Sequence, residues 1–137
     1  MACELCETEG GVPVWRDAQC RVVHVAEPGY PGYCRAIWND HVAEMTDLGE
    51  ADRARFMRVV LALEAALREL LRPDKINLAS LGNFTPHLHW HVIPRFRDDP
   101  HFPNPIWGTL IRQPAPIESP RADFLARLAE KLSRPGC

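Results

Sequence analysis

Three histidines alternate with apolar residues in His87-Leu88-His89-Trp90-His91-Val92-Ile93, just ahead of Pro94 and Arg95. Strand side chains alternate between faces, so this spacing puts three imidazoles on one side and turns Leu88, Trp90 and Val92 to the other. Imidazole titrates near neutral pH, ligates metals and attacks phosphorus or carbonyl centres. A row of imidazoles on an element anchored by its own apolar face therefore reads as reaction machinery. The plainer alternative is a polar stripe on an edge strand. Cys3 and Cys6 are a second chemical signal, because two thiolates at this spacing can share a tetrahedral zinc once two more ligands complete the set. Taken alone, the pair also fits a redox couple or a coincidence.

The surrounding chain predicts an α+β architecture able to hold these groups. Residues 20–25 and 33–38 read as short strands separated by Glu27-Pro-Gly-Tyr-Pro-Gly32, whose prolines and glycines enforce a turn. Over 50–71, Phe56, Val59, Val60, Leu63, Leu67, Leu70 and Leu71 recur at helical spacing, which predicts one long amphipathic helix ending near Pro73. Residues 75–80 and the histidine strand flank a loop that brings two further strands together. The segment 94–120 is rich in proline and predicts an extended wrapping segment, with 107–111 as a last strand. A C-terminal helix is expected over 121–133, carrying Phe124, Leu125 and Leu128.

Composition narrows the class. At 137 residues and 46% hydrophobic, the chain fits one domain over 1–137, and a domain of this size buries about two-thirds of its unfolded surface. The start lacks a basic region followed by an apolar run, and no window approaches the roughly 20 apolar residues that span a bilayer. Five cysteines without a dense framework suit a reducing compartment. The expectation is a cytoplasmic protein with no membrane partner. A formal charge of −2 without a basic stripe argues against a long nucleic acid and leaves room for small phosphorylated ligands.

The histidine motif resembles the signature of the histidine triad family, His-φ-His-φ-His-φ-φ with φ apolar. The similarity continues through His41-Val-Ala-Glu-Met-Thr-Asp-Leu48, Asn77-Leu-Ala-Ser-Leu-Gly-Asn83 and Phe102-Pro-Asn-Pro-Ile-Trp-Gly108, covering roughly residues 3 to 108 in consistent order. The resemblance implies a five-stranded antiparallel sheet with a long helix packed on it, joined in a homodimer as a ten-stranded sheet. It also implies nucleotide hydrolase or nucleotidyl transferase chemistry at the α-phosphate of a phosphoramidate, dinucleoside polyphosphate or similar conjugate.

By that correspondence His89 is the nucleophile and His91 a donor to the phosphate or leaving group. Asn83 sets its amide against the α-phosphate, and Asn77 is a second phosphate-side residue. Without the resemblance, Asn83 reads as a turn residue and Asn77 as a strand end bonding its own loop. In several members of the superfamily an N-terminal cysteine pair binds zinc with histidines matching His41 and His87, so Cys3, Cys6, His41 and His87 are expected around a structural zinc that the chemical step does not require. Arg95 reads as an exposed surface arginine. Tyr33 stands about where many relatives have a further histidine, and Trp38 and Trp107 are expected in the core. Many members place an acidic residue after the second strand to hold the ribose, where this chain offers His24, Val25 and Glu27. Two other readings remain at this point: a zinc metallohydrolase using the strand histidines as ligands, and a non-catalytic nucleotide-binding module.

Overall fold

The computed structural model describes residues 2–116 and 122–134. Five antiparallel strands form one sheet: β1 (Val12–Arg16), β2 (Cys20–His24), β3 (Cys34–Trp38), β4 (Lys75–Ala79) and β5 (His89–Arg95), in the order β1-β2-β3-β5-β4. The long helix α2 (Glu50–Leu71) and the C-terminal helix α3 (Ala122–Leu132) pack together on one face. A short helix α1 (Glu4–Glu7) precedes the sheet. No helix of the described residues is long and apolar enough to cross a membrane.

Period-two alternation decides what each sheet face does. Cys20, Val22, Cys34, Ala36, Trp38, Leu88 and Val92 turn toward α2 and meet its buried Phe56, Val59, Val60, Leu63 and Leu67, together with Leu128 and Leu132 of α3. Full burial of such a side chain stabilises by about 1.5–3 kcal/mol, so this one layer fixes the strand register against slippage. Cys20 and Cys34 are fully buried, and burial pushes both thiols up to about 12; they act as small apolar residues. The opposite face carries Arg21 and Val23 of β2, Arg35 and Ile37 of β3, His89 and His91 of β5, and Asn77 and Ala79 of β4.

Helix α2 spans the predicted residues. It stops at Arg72, which is left-handed (φ 50°) and donates its N–H to the Arg68 carbonyl; Pro73 disfavours α geometry there. The sheet departs from the sequence reading at its fifth strand. Residues 107–111 form no strand, because their backbone donors turn back onto the preceding loop instead of a ladder: Gly108 N donates to Pro105 O, and Ile111 N to Pro100 O. The fifth strand is β1. It tolerates Pro13 because it lies at the sheet edge, where its register also slips between Pro13 and Trp15. Helix α3 falls in the expected place, while Arg121 and Cys137 lie outside the described residues.

Candidate active site and metal centre

The N-terminal segment is tied to the sheet by Arg21. Its guanidinium donates to the carbonyls of Leu5 (2.6 Å), Thr8 (3.3 Å) and Glu9 (3.1 Å) and to Asn39 Oδ1 (3.0 Å), while Leu5 packs on Val23 and Ile37. Gly10 makes the turn into β1 with φ +84°, at a point where a Cβ would collide with Leu5 and Ile37. Together these contacts hold Cys3 and Cys6 beside the entry to β5.

There the two thiols meet His41 and His87. Cys3 Sγ lies 3.4 Å and Cys6 Sγ 3.5 Å from His87 Nδ1, His41 Nδ1 lies 3.3 Å from the same atom, and Cys6 Sγ is 3.4 Å from His41 Nδ1. All four ligand atoms fall within 4.8 Å of one another. A tetrahedral zinc with ordinary Zn–S and Zn–N bonds separates its ligands by about 3.3–3.8 Å, so the cluster fits that ion. His87 is pre-set for the task. Its Nε2–H donates to the Trp38 carbonyl at 2.6 Å, which leaves the Nδ1 lone pair facing the thiols. An ion held by all four would have a complete tetrahedral set, with no open position for water.

His87 and Leu88 precede the strand rather than belonging to it, so the first imidazole faces the cysteines while the other two enter a cleft. His89 Nδ1 lies 2.6 Å from the His87 carbonyl. A carbonyl only accepts, so Nδ1 carries the proton and Nε2 keeps its lone pair. Burial lowers the His89 pKa below the ordinary value against the opposing effect of that hydrogen bond, so the ring is neutral at pH 7. Burial, with smaller contributions from His89 and Arg35, pushes His91 down to about 3. His91 Nδ1 is 2.7 Å from the Tyr33 hydroxyl. The His89 and His91 rings stand edge to face with centroids 4.9 Å apart.

The cleft holds about 340 Å³ and is lined by Arg35, Leu81, Gly82, Asn83, Phe84, Thr85, His89, His91 and Trp107. That is within the ordinary range for a small-molecule site. Of the sequence-predicted residues, His89, His91 and Asn83 come together here. Asn77 does not: it lies across β5 in the adjoining cleft, paired with Ile93, and its Oδ1 accepts from Arg95 Nη1 at 2.8 Å. Glu27 lines a separate cleft with His24 and Tyr30. His89 and His91 belong to no cluster of three or more ligand-type side chains among the described residues.

Two readings change. Arg95 is 2% exposed rather than a surface residue: Asp99 accepts from its Nε and Nη2 at 2.7 and 2.9 Å, and Asn104 O from Nη2 at 2.8 Å. Strand alternation continues past Pro94 through Arg95, and the 96–112 loop folds back over it. Trp107 is not core. It is 52% exposed, with its ring centroid 5.0 Å from that of His91, so it walls the cleft. Tyr33 and Arg35 were not among the sequence-predicted site residues. The signal was their i, i+2 spacing in a strand paired with the histidine strand, which puts both on the imidazole face.

A sheet of this order with two imidazoles over a cleft and a third in a thiol cluster defines a histidine triad architecture. The family model for the HIT domain matches residues 11–98, and the chain belongs to that family. It is similar to a histidine triad protein from Bradyrhizobium japonicum, with a TM-score of 0.77 and 29% identity covering 90% of this chain and 92% of that one. A Zn-bound histidine triad family protein from Mycobacterium smegmatis shares the fold, with a TM-score of 0.66 and 22% identity covering 97% and 94%. The AP-4-A phosphorylase of Mycobacterium tuberculosis is 27% identical over 109 residues, 75% of this chain and 56% of that protein. The chain thus spans about half the length of the curated relatives it matches.

Proposed function

We propose that the chain is a nucleotide hydrolase or nucleotidyl transferase that acts at the α-phosphate of a nucleotide conjugate through a covalent intermediate on His89. The observation that carries this reading is the 2.6 Å bond from His89 Nδ1–H to the His87 carbonyl, which aims an unprotonated Nε2 into the cleft. The name of the mycobacterial relative, AP-4-A phosphorylase, supports the substrate class.

In the first half-reaction the Nε2 lone pair forms a bond to the α-phosphorus as the bond from phosphorus to the leaving group breaks. The Tyr33 hydroxyl donates to Nδ1 of the neutral His91, which leaves Nε2–H of His91 to donate a hydrogen bond to the departing atom, and that atom takes its proton from water. In the second, water attacks the same phosphorus and releases its proton to solvent, while the P–N bond breaks and its electron pair returns to Nε2 of His89. The exposed Asn83 amide, and Nδ2 of Asn77 where a substrate reaches the adjoining cleft, are the donors for the phosphoryl oxygens. Cys3, Cys6, His41 and His87 would hold a structural zinc, which when bound fixes the N-terminal segment to the start of β5.

Two copies would join through β4, the regular edge of the sheet, since β1 at the other edge is interrupted by Pro13 and its register shift. The functional test is AMP release from adenosine phosphoramidate and diadenosine polyphosphate by wild type and His89→Ala. Turnover by wild type that the variant loses supports the reading; equal turnover by both contradicts it.

A further inference from the structure

The imidazole face of the sheet carries four arginines; Arg16 at the edge pairs with Glu9, and two of the other three are fully engaged. Arg21 holds three backbone carbonyls and Asn39, with Glu9 at 3.7 Å. Arg95 holds Asp99, Asn77 and Asn104. Arg35 differs. Its Nη1 donates to the Gly10 carbonyl at 3.2 Å and its guanidinium carbon lies 6.0 Å from the Tyr33 ring centroid, but its buried Nε has no hydrogen-bond partner and no carboxylate pairs with it among the described residues. A buried donor left unpaired is destabilising, and a violation of this kind at a cleft is where a ligand is expected.

Position says which part of a ligand. In the β3–β5 register Arg35 faces His91, whereas the nucleophile His89 faces Ile37. The cation therefore sits one strand step beyond the nucleophile, on the side where His91 meets the departing atom. An amine leaving group offers nothing to a guanidinium. A phosphate leaving group offers charge and two oxygens that match its planar fork.

We infer that Arg35 is the anion-holding, specificity-determining residue at the leaving-group end of the cleft, so that the chain prefers nucleotides whose leaving group is itself a phosphate over those that release an amine. This rests on the roles given above to His89 and His91.

The test is calorimetric binding of AMP and ADP to the full chain as wild type, Arg35→Met and Arg35→Lys, with circular dichroism as the check on folding. ADP differs from AMP by the one phosphate that Arg35 would hold. Wild type should bind ADP about 10- to 100-fold more tightly than AMP, as expected for one charged hydrogen-bonding partner; the methionine variant should remove that preference and lysine restore part of it. In turnover, Arg35→Met should lower kcat/KM for a diadenosine polyphosphate by a similar factor and change that for adenosine phosphoramidate by less than about threefold. An unchanged ADP-to-AMP ratio in the variant overturns the inference. So does equal weakening of both nucleotides, which would place Arg35 on the transferred phosphate. If the methionine variant fails to fold, the wild-type ratio and the lysine variant decide. Failure of wild type to bind either nucleotide contradicts the nucleotide reading itself, an outcome distinct from binding without discrimination.

Discussion

Asp99→Asn tests how the cleft wall is held. Oδ1 of Asp99 accepts from Arg95 Nη2 (2.9 Å) and from the backbone N–H groups of His101 (3.1 Å) and Phe102 (2.7 Å), while Oδ2 accepts from Arg95 Nε (2.7 Å) and Phe96 N (3.1 Å). Both side chains of the pair are almost fully buried. Asparagine has the same shape, but its amide nitrogen must point at donors whichever way it is turned, and it leaves the guanidinium without a counter-charge. The expected cost is about 3–5 kcal/mol, the range for removing one partner of a buried ion pair. With a urea m-value of about 2 kcal/mol/M, the unfolding midpoint should fall by roughly 2 M. The same bonds anchor the loop that carries Trp107 against His91, so amide exchange at His101 and Phe102 should accelerate before global unfolding. Burial opposes ionisation of Asp99, but Arg95 and the backbone donors outweigh it and hold its pKa below the ordinary 3.8. Its contribution is therefore present above that value and lost as pH falls through the folded one. A midpoint loss equivalent to less than about 1 kcal/mol would refute the reasoning, because that is the scale of an exposed pair.

Two further predictions concern metal and pH. Zinc at 100 times its dissociation constant should stabilise the folded chain by about 2.7 kcal/mol, raising Tm by roughly 10 °C, and chelation should reverse the rise in wild type but produce no change in Cys6→Ser. Identical melting of wild type with and without zinc would remove the metal assignment. His91, pushed down to about 3, binds fewer protons when folded than its ordinary value near 6.5 gives when unfolded. Its contribution to stability is thus complete above pH 6.5 and declines as pH falls from there toward 3. A ring-resonance titration should find His91 still neutral at pH 5; a midpoint near 6.5 would contradict its burial behind Tyr33 and Trp107.

Much of this architecture is legible before any coordinates. Helical spacing from Phe56 to Leu71 and alternation around Trp90 each express a single period, and both elements form, the helix over the residues of its pattern and the strand from His89, two residues into the motif. The elements that the sequence pattern does not reveal lack such a period. Strand β1 contains Pro13, which speaks against a central strand but costs little at an edge. The residues 107–111 alternate weakly, and their backbone donors turn back onto the preceding loop. Within the site, the pattern is enough to pair His89 with His91, since both sit on one strand. What Arg95, Trp107, Tyr33 and Arg35 touch depends on the register between β3 and β5 and on the path of the 96–112 loop, and no local period in the sequence encodes either. The convergence of Cys3 and Cys6 with His41 and His87 is a similar long-range event, set by Arg21 and Leu5 folding the N-terminal segment onto β2.

The central claim is a covalent nucleotidyl-His89, and intact mass on a rapid quench of wild type with diadenosine polyphosphate tests it most directly. The account predicts a transient mass increase equal to one nucleotidyl group, localised by peptide mapping to His89 and missing in His89→Ala. Turnover by wild type with no such adduct at any quench time, or an adduct mapped to another residue, would contradict it.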